Sequence, residues 1–200
     1  MRLQTDAIGL AALVLVTLAW LLFCLLFFLR FLRQKPPGVE EAKRAPASSW
    51  GIALQSLSFA LVWSLPRTTF WPFPPSRAGE IALAAVAVAL AYASCWFCFW
   101  AIHTLGKQWT YAARVIKGHE LITQGPYAVV RNPIYLGMFG VILATGLVFS
   151  RWWTFLIAVV FFLIGNRIRI RTEEQLLHET FGPQFEDYAR RVPAFLPRPF

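Results

Sequence analysis

The chain has 200 residues, of which 58% are apolar and only 14% charged. Soluble domains carry about a quarter charged residues, so this shortage excludes both an ordinary soluble fold and disorder. Nineteen Lys and Arg against ten Asp and Glu leave a net charge of +9; a polytopic membrane protein collects such cations in its cytoplasmic loops, which accounts for the excess without nucleic acid.

A bilayer core of about 30 Å needs roughly 20 apolar residues in a helix, and the chain offers five candidate segments. The first runs from Ala7 to Leu32 and is stopped by Pro36-Pro37-Gly38. Its apolar stretch is longer than the roughly 7–15 residues of a signal-peptide core, so it reads as a span. The second, Trp50 to Leu65, is short and ends before Pro66; the third, Gly79 to Leu105, is unbroken and Ala-rich. The fourth runs from Pro133 to Phe149 and the fifth from Trp152 to Ile168, with only Ser150 and Arg151 between them, which predicts a tight hairpin. The fold expected is all-α: a polytopic membrane protein with five transmembrane helices and cytoplasmic C-terminal helices.

The cations support an orientation. Arg30, Arg33, Lys35, Lys43 and Arg44 follow the first span; Lys107, Arg114, Lys117 and Arg131 follow the third; Arg167, Arg169, Arg171, Arg190, Arg191 and Arg198 follow the fifth. Only Arg2, Arg67, Arg77 and Arg151 fall on the other side, which predicts the N-terminus outside and the C-terminus in the cytoplasm. The expected organisation is an N-terminal three-helix membrane region, residues 1–105, followed by residues 106–200 as the chemical core.

Cys24, Cys95 and Cys98 all lie inside apolar runs, which excludes a disulfide framework and makes the Cys95/Cys98 pair packing residues rather than metal ligands. The polar residues concentrate in two cytoplasmic stretches. Between Gly106 and Asn132, the residues Trp109, Tyr111, Ile116, Leu121, Ile122 and Tyr127 suit a loop that hugs the bilayer. Beyond the fifth span a helical period persists from Arg167 to Thr180, predicting a helix that projects from the membrane until Gly182-Pro183. Pro183 then opens a second amphipathic helix, with Phe185, Tyr188 and Val192 on one face.

Asn132-Pro133 is an N-cap and N1 pair for the fourth span, and it brings Tyr127, Arg131, Asn132 and Tyr135 to one helix mouth. Free N–H groups beside an arginine favour a carboxylate; Glu173 and Glu174 on the projecting helix could hold an ammonium. Together they would suit an amino-acid headgroup. Equally, Arg131 could pair with Glu173 or Glu174 and lock the loop onto the helix.

The stretch from His119 to Gly137, of the form H-x-L-x-T-x-G-P-Y-x-x-x-R-N-P-x-Y-x-G, resembles the isoprenylcysteine carboxyl methyltransferase and phospholipid methyltransferase superfamily. So does the tail, with Arg-Thr-Glu173-Glu174-Gln-Leu-Leu, Phe181-Gly182, Tyr188 and Arg191-Val192-Pro193. The resemblance covers about Leu105 to Pro197; the first hundred residues share only their hydrophobicity. It implies an integral membrane methyltransferase that uses S-adenosylmethionine without a Rossmann domain, in a pocket facing the cytoplasm, on a lipid or lipophilic small molecule. By the same resemblance, His119, Tyr127, Arg131, Asn132, Pro133, Tyr135, Glu173 and Glu174 are cofactor contacts, Arg169 and Glu174 form the polar pair nearest the acceptor, and no metal is required. One departure is that the family often has Arg-His-Pro where this chain has Arg131-Asn132-Pro133; Asn can donate and cap but cannot act as a base near neutrality. Two other readings compete: a membrane reductase of the sterol reductase type, which expects a larger chain, and a non-catalytic binding or transport protein, against which the retention of both polar motifs argues.

Overall fold

The structure, a computed structural model, describes residues 7–32, 41–44, 48–66, 76–109, 114–116 and 120–197. Six α-helices dominate: α1 (Ala7–Leu32), α2 (Ser48–Ser64), α3 (Arg77–Leu105), α4 (Pro133–Val148), α5 (Trp152–Phe181) and α6 (Pro183–Arg191). The chain is all-α apart from a short antiparallel ladder, β1 (Glu41–Arg44) with β2 (Arg114–Ile116). His119, Tyr111, the Pro36-Pro37-Gly38 break, and Arg2, Arg33, Lys35, Arg67, Lys117 and Arg198 lie outside the described residues.

Helix ends follow local chemistry. Ser76 caps α3, its Oγ accepting from the Gly79 N–H at 3.2 Å, and Glu80 sits in the first turn where negative charge suits the helix dipole. Gly182 ends α5 at φ 49°, a value that favours glycine, and Pro183 occupies the first turn of α6. The projecting helix expected after the fifth span is therefore continuous with it: α5 is 30 residues long.

α1, α3 and α5 are long and apolar enough to cross a membrane by length and composition, while α2 and α4 are shorter, at 17 and 16 residues. Apolar side chains cover the outside of the bundle as well as filling its core. Leu18, Leu22 and Leu25 of α1 and Leu156, Val160 and Leu163 of α5 point outward, whereas Gln55, Ser58, Thr145, Asn166 and Arg169 are buried.

Small residues let the helices approach closely. α3 meets α4 where Gly137 and Gly140 face Ser94 and Cys98; a Cβ at Gly137 would lie 2.9 Å from the Ser94 carbonyl oxygen. α2 meets α5 where Gly51 and Gly165 oppose each other, a Cβ on either falling 2.8 Å from the other's carbonyl oxygen. Ala87 and Ala91 of the Ala-rich third helix pack on Ala12, Val16 and Ala19 of α1. Cys95 and Cys98 are buried free thiols in that core.

The α4–α5 turn is tight, but α5 rests chiefly on α2 rather than on α4. The turn is pinned to the end of α2: Ser150 Oγ donates to the Val62 carbonyl, and the Arg151 N–H donates to the Leu65 carbonyl at 3.2 Å. At the opposite end, the β1–β2 ladder ties the segment following α1 to the segment following α3. Successive helices thus reverse direction, and the polar loops gather at the end where α1 and α3 finish.

Valine at Gly165 or Gly137 should destabilise the bundle by about 1–3 kcal/mol through overpacking, lowering the detergent-solubilised melting temperature. Leu156→Ala, on the outward face, should leave it nearly unchanged.

Candidate functional site

The polar loops enclose a cavity of about 400 Å³, within the usual range for small-molecule sites, about 300–1,000 Å³. Its polar end is built from the start of α4 and the projecting part of α5; its apolar end is built from Phe23 and Phe27 of α1, Phe59 of α2 and Met138 of α4.

Arg131 is the central clamp. Its Nε and Nη2 donate to Glu174 Oε1 and Oε2 at 2.8 and 2.9 Å, a bidentate pair. Its Nη1 donates to the Ala189 and Val192 carbonyls at 2.9 and 2.5 Å. Arg131 and Asn132 also donate their backbone N–H groups to the Pro193 and Ala194 carbonyls at 2.9 and 3.1 Å. One guanidinium therefore holds the loop, α5, α6 and the C-terminal tail together. Of the two roles open from sequence, locking the loop onto the helix is the one the hydrogen bonds display.

Asn132 stands at the N-cap position, but its side chain makes no cap hydrogen bond, contrary to the expectation from Asn-Pro. Its Nδ2 donates to Glu174 Oε1 at 3.0 Å and to the Ala194 carbonyl at 2.9 Å, and these two bonds set the orientation of the amide. Pro133 follows in the first turn, and both residues line the cavity.

A second cluster sits beside the first. Glu173 Oε1 accepts from the Tyr135 hydroxyl and, at 2.9 Å, from Arg169 Nη2, and the Arg169 guanidinium lies 5.1 Å from the Tyr135 ring centre. Arg169 pairs with Glu173, while Glu174 pairs with Arg131. The reason is helical spacing: Glu173 is four residues on and shares a face with Arg169, whereas Glu174 is turned about 100° further toward Arg131.

Tyr127 is buried in the turn before α4 and lines the cavity. The Tyr188 hydroxyl of α6 donates to its carbonyl at 2.7 Å. Burial pushes both phenols above their ordinary range, so they stay protonated. Trp109 and Tyr127, expected at the lipid interface, instead face inward at 6% and 7% exposure, because the loop folds over the cavity and they form its walls. Phe185 and Tyr188 are buried on one face of α6, as the helical period required. The tail carbonyls that complete the clamp carried no side-chain signal in the sequence, and neither did the place of Gln55 in the cavity wall.

Among the described residues no cluster of three or more His, Cys, Asp or Glu forms a metal site. What the cavity offers is acid and base side chains at one end, aromatic rings from Trp109, Tyr127 and Phe185, and apolar side chains at the other end.

Comparison with known proteins adds an independent line. The sequence model described as phospholipid methyltransferase matches residues 82–184. The chain is 39% identical over 99 residues to the nickel-cobalt-cadmium resistance protein NccN of Alcaligenes xylosoxydans xylosoxydans, covering 48% of this chain and 45% of that one. It is 37% identical over 87 residues to protein-S-isoprenylcysteine O-methyltransferase of Schizosaccharomyces pombe, covering 43% of this chain and 36% of that one. A plant relative, protein-S-isoprenylcysteine O-methyltransferase B of Arabidopsis thaliana, is 31% identical over 102 residues, with 48% and 50% covered. The matches thus span about half or less of each of these relatives.

Cutting the clamp should loosen the tail. In a double-mutant cycle, Arg131→Lys and Glu174→Gln should couple by about 0.5–3 kcal/mol, and either single change should speed proteolysis after residue 182 without altering cleavage elsewhere.

Proposed function

The chain belongs to the phospholipid methyltransferase family, and from that premise we propose that it is an integral membrane enzyme transferring the methyl group of S-adenosylmethionine to a lipid or lipophilic small molecule. The observation that carries this reading is the cavity's composition: paired charges and aromatic rings at one end, continuous with an apolar wall from α1 and α2 at the other. A zwitterionic, aromatic donor fits the first end, and a lipophilic acceptor fits the second.

The fit to the donor rests on three features. The volume is adequate. Glu173 presents a carboxylate that accepts two hydrogen bonds at a single oxygen, which leaves the group able to take an ammonium. The start of α4 lacks a side-chain cap, so its N–H groups suit a carboxylate. When bound, the cofactor would supply an activated sulfonium methyl. The task left to the protein is alignment and exclusion of water.

The residues divide that task. Glu173, Tyr135 and Tyr127 hold the donor in place, with Pro133 as a further contact from the helix start; the resemblance adds His119, which lies outside the described residues. Arg131 and Asn132 act through Glu174, keeping the tail closed over the cavity. Arg169, held by Glu173, sits where a negatively charged acceptor head would be steadied. Glu174 is committed to Arg131 and Asn132, which suits it to positioning rather than to proton removal. An acceptor that needs no base, such as a carboxylate, matches the site best.

The same reading sets the topology. Five helices, α1 to α5, alternate across the bilayer; α2 at 17 residues is at the short end of the range for spanning, and α4 is one residue shorter and packed inside the bundle. The cavity lies at the end that gathers most Lys and Arg, which the positive-inside rule assigns to the cytoplasm.

Isothermal titration of the detergent-purified protein with S-adenosylhomocysteine should show binding. Glu173→Gln and Tyr135→Phe should weaken it roughly ten- to hundredfold, the scale of a hydrogen bond to a charged group; affinity unchanged in both variants would refute this placement of the donor.

A further inference from the structure

The cavity walls divide by origin. Tyr127, Arg131, Tyr135 and Glu173 lie within residues 82–184 matched by the family, whereas Ile52, Gln55, Ser56 and Phe59 come from α2, outside that segment. Spaced at i, i+3, i+4 and i+7, these four form one stripe along the helix, with Ile52 and Phe59 bracketing a polar pair. A wall that the shared core does not supply is where this chain can select its own acceptor.

Gln55 stands out on that wall. It is only 3% exposed, it lines the cavity, and its side-chain nitrogen has no hydrogen-bond partner among the described residues. Buried polar groups in folded proteins are nearly always paired, and an unpaired one is costly. Ser58, one turn along the same helix, shows the ordinary solution, its Oγ donating to the Ala158 carbonyl at 2.6 Å. The terminal torsion of Gln is soft, so the amide can turn its N–H groups into the cavity while α2 stays seated on α5.

We propose that Gln55 is the specificity-determining residue for the methyl acceptor: its side-chain amide donates to an uncharged carbonyl oxygen, of amide or ester type, carried beside the acceptor's methyl-accepting group. The proposal rests on the methyltransferase reading above and deepens it. A neutral donor matches a carbonyl and gives no advantage to a cation. Ile52 and Phe59 flank it with surface for the apolar body. A site built to hydrogen-bond an oxygen rejects the analogue that lacks it far more strongly than an apolar pocket rejects a missing methylene, because its own buried group is then left unpaired.

The test uses the full chain in lipid nanodiscs with methyl-labelled S-adenosylmethionine and two acceptor probes. N-acetyl-S-farnesylcysteine carries an acetamide carbonyl beside its carboxylate; 3-(S-farnesyl)thiopropionic acid keeps the apolar body and the carboxylate without the amide. The wild type should show at least tenfold higher kcat/KM for the first probe. Gln55→Leu and the similarly long, donor-free Gln55→Met should both abolish that preference, chiefly through KM, with S-adenosylhomocysteine affinity within twofold of wild type. Three results would overturn the proposal: the preference retained in both variants, as expected of a Gln55 satisfied by water alone; a donor affinity lost together with the preference, which marks a purely structural role; or a wild type that binds S-adenosylhomocysteine and shows no preference for, or no turnover of, the amide probe. A wild type that fails to bind S-adenosylhomocysteine overturns the methyltransferase reading itself, and is told apart by that measurement.

Discussion

The bidentate pair between Arg131 and Glu174 is the constraint on which the site depends. It is partly shielded, with side chains 12% and 20% exposed, and it is reinforced by carbonyls of the tail. Removing one partner of a fully buried pair costs about 3–5 kcal/mol because the other is stranded; partial exposure lowers that figure here. What the pair secures is geometric. It fastens the loop before α4, the extension of α5 and the segment after α6 into one lid, and beneath that lid Glu173 and Arg169 face the cavity.

The division of labour between the two adjacent glutamates follows from their positions on one helix. Successive residues on a helix point about 100° apart, so Glu174 looks toward the loop while Glu173 looks toward Tyr135 and Arg169. One acid is structural because its oxygens are filled by Arg131 and Asn132; the other lines the cavity with Arg169 alongside. Asn132 joins the structural side through its amide. A neutral amide performs that task over the whole pH range in which an imidazole would change charge.

Much of the fold was legible in the sequence because membrane helices announce themselves through unbroken apolar runs closed by Pro, Gly and charges. The ends of α1, α3 and α5 fall where those signals placed them, and the continuation of α5 to Phe181 was carried by its period. The site was partly legible. Arg131, Asn132, Tyr135, Glu173 and Glu174 do converge, but the partner of each charge was not readable. Arg131 is satisfied partly by backbone carbonyls some sixty residues away, which no side-chain pattern records. Trp109 and Tyr127 were misread as interfacial because an aromatic suits a lipid surface and a cavity wall equally well; only the course of the loop decides between them. The packing of α5 on α2 depended on two glycines, Gly51 and Gly165, separated by more than a hundred positions.

The central claim is that the cavity under this lid carries a methyl group from a soluble donor to a membrane-borne acceptor. The most direct measurement incubates the purified protein with methyl-labelled S-adenosylmethionine and a membrane extract, followed by mass spectrometry of the organic phase. The account predicts label on one or a few lipophilic species, absent when Glu173 is replaced by Gln. Label that never leaves the aqueous phase, from protein shown to bind the donor, would contradict it.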